Sequence, residues 1–237
     1  MSAQAGRHRS ALLDAVLMGL AAVVFVSMIL LGNWQMARLS WKLDLIAQVE
    51  SRAFAEPVQA SVAEPLPAYQ RVGVIGRFDH GAALRVKALT DLGPGHWVVT
   101  PLMTDEGAIW VNRGFVPSPA TGISVSEPNG LQRVTGLVRD SVPNGTLLEK
   151  NDPGTARWFS VDIPAMTKAA GLDHAASYYI DADHIGPVDA WPRGGLTRLE
   201  FRNSHLSYAL TWYAMALLFF CALGFVMWQR FWGTEPD

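Results

Sequence analysis

Cysteine is nearly missing: in 237 residues only Cys221 is present. One thiol cannot build a disulfide framework or a cysteine-based metal site within a chain. Charge is scarce too, at 17% of residues against about 25% in soluble proteins. What charge there is almost cancels, to a formal −2. No basic tract appears, so nucleic acid is not a partner that the sequence suggests. Catalytic signatures are lacking as well. There is no HExxH, GxSxG, P-loop or GxGxxG pattern, which removes the motif-borne forms of zinc, serine-nucleophile and nucleotide chemistry. Paired Cys or Met ligands of the kind that hold copper are not found in the central region either.

The shortage of charge is concentrated at the two ends. AVLMGLAAVVFVSMILLGNWQMA separates Asp14 from Arg38, about 23 residues, and LSYALTWYAMALLFFCALGFVMWQ separates His205 from Arg230, about 24. Roughly 20 apolar residues span a bilayer as a helix. The expectation is two transmembrane helices, at 14–37 and 201–229, rather than two buried core helices. The first run exceeds the 7–15 residues of a typical signal-peptide core, so an uncleaved anchor is expected. Both termini then lie on one side, as a segment at 1–13 and a tail at 230–237. Charge does not fix which side. Arg7, Arg9 and Arg230 flank the terminal ends, and Arg38, Lys42, Arg52, Arg198 and Arg202 the loop ends. Loops longer than about 60 residues translocate largely regardless of charge.

Between the spans the pattern changes twice. WKLDLIAQVESR carries Trp41, Leu45 and Val49 at i, i+4 and i+8, which continues the first helix beyond the bilayer. AEPVQASVAEPLPA then reads as a Pro/Ala-rich linker, so that 38–68 is helix extension and linker. From Tyr69 short β-type runs follow: YQRVGVIGRF, AALRVKAL, HWVVTPLM, AIWVNRGFV, QRVTGLVR and SYYIDAD, separated by turn formers such as DLGPG and VPNGT. One helix is marked by Asp162 as N-cap, Pro164 in the first turn and Gly171 past the end. Residues 69–200 are expected to form a compact α+β domain, mostly antiparallel sheet.

That domain offers few chemical candidates. Asp181, Asp183 and His184 have metal-ligand identities, but a strand end meeting a turn is the blander explanation and outweighs metal binding there. His96 starts a strand after a Gly-Pro-Gly turn, a structural position. Arg113 needs carboxylate or carbonyl partners if half-buried, and structural pairing outweighs ligand binding there. Asn144-Gly145-Thr146 matches a glycosylation sequon, a motif short enough to arise by chance.

The membrane borders say more. Trp34, Arg38 and Trp41 fall at i, i+4 and i+7 on the first helix. They form either an interfacial anchor or a face that packs on the second helix or a partner. His205, Tyr208 and Trp212 fall at i, i+3 and i+7 on the second, with Arg198 and Arg202 about two turns and one turn ahead if that helix begins early. A lone imidazole at a membrane border is tolerable as an interface residue. One ligand fits the whole set, however. A haem has an apolar face, an iron that accepts imidazole nitrogen and two anionic propionates. The iron would meet His205, the ring Tyr208 and Trp212, and the propionates Arg202 or Arg198.

At these residues the chain resembles the Surfeit locus protein 1 family, the cytochrome c oxidase assembly factors of bacteria and mitochondria. LGNWQMARLSWK, GRFD, GPGHWVVTPL, WVNRGFVP and GLTRLEFRNSHLSYALTWYAMAL look like successive family blocks in order, covering nearly the whole chain. The resemblance implies a non-enzymatic assembly factor of the bacterial inner membrane, with the central domain periplasmic and both termini cytoplasmic. The N-terminal segment, which lacks transit-peptide character, points to the bacterial type. It further implies transient binding of haem a, with the family's helix-start histidine falling on His205 and its tryptophan on Trp212. The implied partners are the core subunit of cytochrome c oxidase, haem A synthase and membrane lipid. A cofactor-free scaffold that stabilises an oxidase assembly intermediate is the alternative.

Overall fold

The computed structural model describes residues 2–120, 122–197, 199 and 201–232. Two compact units are present, one made of the chain up to Ile46 together with its C-terminal helix, the other of Ala47–Leu199. The protein is a membrane protein in which two apolar helices flank a sheet-rich domain.

Helix α1 runs unbroken over Ser2–Ala53. No proline interrupts it before Pro57, and Arg52 in the last turn complements the negative end of the helix dipole. At 1.5 Å per residue its 52 residues extend about 78 Å, more than twice a bilayer core of about 30 Å. The helix therefore continues past any membrane it crosses. The C-terminal helix, α3, spans His205–Trp232. Its 28 residues reach about 42 Å.

In the domain, strands β1 (Val58–Gln59), β2 (Arg71–Phe78), β3 (Leu84–Thr90), β4 (Gly93–Thr104), β5 (Gly107–Pro117), β6 (Gln132–Asp140) and β7 (Ala175–Ala182) form one sheet in the order β1-β2-β6-β7-β5-β4-β3. Pairings are antiparallel except β1 on β2 and β5 on β7. The long β4 shares one edge between two partners, β3 along Gly93–Val99 and β2 at Leu102 and Met103. The second pairing closes β2, β6, β7, β5 and β4 into a small barrel, which leaves fewer free edges than an open sheet.

Period-two alternation then sorts the side chains. Ile109, Val111, Tyr178 and Ile180 fill the barrel with Val72, Val74, Leu102, Val134 and Val138. Trp110 and Tyr179, one residue out of phase, point the other way, into a second core with Val86, Val99, Trp158 and Met166. Helix α2 (Ile163–Ala169) covers that side, started by the Asp162 side chain on Ala165 N–H with proline in the first turn. It stops before Gly171, at φ +65°.

One element was not legible in the sequence. The Pro/Ala-rich segment is part of the domain: it supplies β1 and buries Ala60 and Val62 in the barrel core. Polar bonds hold it there. The Glu106 carboxylate accepts from Ser61 Oγ (2.9 Å) and Val62 N–H (3.1 Å), and Tyr178 OH donates to the Ser61 carbonyl at 2.8 Å. No apolar periodicity announces this, because long-range side-chain bonds rather than a buried stripe fix it.

Candidate functional site

Within the helical unit α1 and α3 meet along a heptad-like seam. On α1 the inward positions are Gly32, Gln35, Leu39 and Lys42, spaced three, four and three. On α3 they include His205, Ala209, Tyr213 and Ala216, with Ala209 and Ala216 essentially fully buried. Small residues at such positions let helix backbones approach closely in lipid, where packing and interhelical hydrogen bonds drive association. Four contacts fix the register. Phe25 and Phe220 rings lie 5.8 Å apart. Tyr213 OH donates to Asn33 Oδ1 at 2.8 Å. His205 Nδ1 lies 2.8 Å from Gln35 Oε1. Lys42 Nζ donates to the Arg202 carbonyl.

The start of α3 is set locally. Asn203 Oδ1 accepts from His205 N–H at 3.3 Å, and the Ser204 carbonyl takes the first helical bond, from Tyr208 N–H at 3.2 Å. The helix thus begins at His205, not a turn or two earlier. Arg202 precedes it in irregular, exposed chain, so the expected single helical stripe of arginine above histidine is not formed. Arg198 lies outside the described residues. His205 and Trp212 are half-buried at the edge of the seam, and Tyr208 beside them is exposed. The three share one side of the helix, bordering the α1 contact. Among the described residues no partner is found for His205 Nε2.

The Arg38 guanidinium lies 4.0 Å from the centre of the Trp41 ring, with Trp34 four residues before Arg38 on the same helix. Both tryptophans are more than half exposed. Of the alternatives the sequence left for this face, packing on the second helix is corrected. Gly32, Gln35, Leu39 and Lys42 take that role, and the tryptophan–arginine face stays open to lipid or a partner.

The SURF1 family model matches residues 22–217, from inside the first apolar run to inside the second. The chain belongs to the SURF1 family. It is 34% identical to Surfeit locus protein 1 of Rattus norvegicus, over 84% of this chain and 70% of the relative. The Homo sapiens protein of the same name is also 34% identical, over 86% and 75%. A SURF1-like protein of Monosiga brevicollis is 32% identical, over 79% and 78%.

The domain of this SURF1-family chain has its own polar centre. A cavity of about 310 Å³ is lined by Tyr69, Trp97, Asn112, Arg139, Tyr179 and Asp181, among others. Asp181 accepts from Asn112 Nδ2 and Thr197 Oγ1, each at 2.9 Å, with Arg139 Nε 3.8 Å away. Burial raises the Asp181 carboxyl above its ordinary range, opposed by those donors and the Arg139 charge. The network joins three strands and is satisfied internally, as a buried polar group must be.

Asp183, His184 and Arg113 each have partners within the domain. Asp183 pairs with Arg71. His184 Nε2 lies 2.7 Å from the Pro187 carbonyl while Nδ1 accepts from Gly194 N–H. Asp181, Asp183 and His184 therefore point to separate partners, and no metal-ligating cluster is found among the described residues. Arg113 donates to the Ser126 carbonyl and stacks 5.1 Å from the Phe78 ring centre. The sequence reading missed Gly32, Asn33 and Gln35 as seam residues. The signal for Gly32 and Gln35 was there, in the heptad spacing Gly32, Gln35, Leu39, Lys42 within a charge-poor helix.

Proposed function

We propose that this protein is an assembly factor for a haem-copper cytochrome c oxidase, holding haem a at His205 as cargo for the oxidase's core subunit. Membership of the SURF1 family supports the assembly role. The observation that carries the haem reading is His205 itself: an imidazole at the mouth of a membrane helix, one nitrogen engaged by Gln35 and the other without a partner among the described residues. That donor set fits an iron ligand. Tyr208 and Trp212 supply an aromatic wall beside it. Arg202, exposed just ahead of the helix, and Arg198 are the cations for the propionates. Cargo must also leave. A site at the lipid border with one protein ligand suits release better than an enclosed pocket with two, and lipid can keep the apolar tail throughout.

In this reading the protein sits in a bacterial inner membrane with its domain periplasmic and both termini cytoplasmic. Haem A synthase is the proposed donor and the oxidase core subunit the acceptor. The role needs no turnover chemistry. A second reading, a cofactor-free scaffold for an assembly intermediate, draws support from the open Trp34–Arg38–Trp41 face.

The deciding experiment is an optical spectrum. The chain is co-expressed with a haem A-producing system and purified in mild detergent beside His205→Ala. Bound haem a that is lost in the variant is the expected result. Haem-free protein, or equal haem in both, would overturn the cargo reading and leave the scaffold.

A further inference from the structure

Gln35 is an uncharged polar residue placed mid-seam, in the apolar stretch of α1, and its amide faces the imidazole of His205. A polar side chain in such a place is costly unless bonded. A neutral imidazole has one N–H donor and one acceptor nitrogen, so the Gln35–His205 bond can be made in two ways. If the amide oxygen accepts from Nδ1–H, Nε2 keeps a lone pair. If the amide nitrogen donates to Nδ1, Nε2 carries the proton and cannot bind a metal. The structure puts Oε1, the acceptor, 2.8 Å from Nδ1. Metal-binding histidines commonly donate their second N–H to an acceptor, which fixes tautomer and ring orientation.

We propose that Gln35 is the positioning residue for His205: its amide oxygen takes the Nδ1 proton and holds the imidazole in the tautomer whose Nε2 is free to ligate iron. The ligand role rests on the haem reading above. The tautomer does not, and it can be measured in haem-free protein.

Nitrogen NMR of histidine-labelled full-length protein in micelles reads the tautomer directly, using His205→Ala to assign the signal. Wild type and Gln35→Glu, which when ionised keeps acceptor oxygens and no donor, are expected to show His205 protonated at Nδ1. Gln35→Met, of similar length with neither, is expected to show a mixture. In titrations with haem a, Gln35→Met should bind about 10–100-fold more weakly, while Gln35→Glu stays near wild type. Should the Met variant fail to fold, the wild-type tautomer still decides. An Nε2–H tautomer in wild type would mean that the amide donates, and would overturn the proposal. So would a Met variant equal to wild type in both readouts. If wild type binds no haem through His205, the cargo reading fails, and the NMR result alone stands for or against Gln35.

Discussion

Gly32 lies directly under the ring of Tyr213: a Cβ built on Gly32 would come within 2.5 Å of Tyr213 Cε1. Glycine is needed at this point for close approach, not for backbone conformation. The ring it admits carries the hydroxyl that bonds Asn33, one residue along. One missing methyl thus sets how near α1 and α3 come, and with it whether Gln35 reaches His205. Gly32→Val should push the helices apart at a cost of about 1–3 kcal/mol, the usual range for overpacking. Cysteine crosslinking between neighbouring seam positions should report the separation. Tyr213→Ala in the same chain should recover much of the crosslinking, because it empties the space the new side chain needs. Additive effects of the two changes would show that Gly32 and Tyr213 do not oppose one another.

Gly114 constrains the domain in a stricter way. It sits at φ +133°, and a Cβ there would come 2.2 Å from the carbonyl carbon of Arg193. The neighbour is backbone, held by paired bonds between Phe115 and Arg193 of 2.9 and 3.0 Å. It cannot swing aside as a side chain can. Gly114→Ala therefore meets both conformational strain, of order 1–3 kcal/mol, and a main-chain collision. Lowered thermal stability with faster hydrogen exchange at Phe115 is expected. Unchanged exchange would mean that the Arg193 segment moves freely.

Much of this fold could be read before its structure. Six strand segments and α2 stood out because alternation and turn chemistry are local properties, and both apolar helices because charge-free runs of their length have few other uses. What stayed hidden depended on distant partners. Ala60 and Val62 look like linker residues until Glu106 and Tyr178 fix their backbone. At the candidate site His205, Trp212 and Tyr208 were visible by type and spacing. The start of α3 was not, since Asn203 and Ser204 cap it just where an uninterrupted stripe would have carried Arg202 along. Gln35 was visible only as a letter in a motif. Its role appears once α3 places an imidazole against it.

Asp162 holds two backbones at once. Its side chain accepts from Ala165 N–H at 3.2 Å to start α2, and from Asn144 N–H at 2.9 Å to hold the preceding loop. Asp162→Ala should cost about 1–2 kcal/mol for the cap, and more for the Asn144 N–H left unbonded. Asp162→Asn retains only one acceptor oxygen and should fall between. Urea unfolding of the three proteins followed by far-UV circular dichroism tests the order. An Asn variant as stable as wild type would mean that the Asn144 bond contributes nothing.

His96 should make the domain's stability depend on pH. It pairs across the ladder with Lys87, next to Arg85 on β3. Burial, then the charges of Arg85 and Lys87, lower its pKa below the ordinary value. In the unfolded chain the imidazole returns to about 6.5. Between the lowered and the ordinary value the unfolded state binds more protons, so stability rises with pH through that window. The stabilisation is complete above about 6.5 and lost as pH falls toward the folded-state value. Two variants separate the causes. His96→Gln removes the titration, and its unfolding midpoint should flatten as pH falls below about 6.5. Arg85→Met keeps the histidine but removes a repelling charge, so its slope should shrink in part. A slope that survives His96→Gln intact would place the proton uptake on another group and rule out His96 as its source.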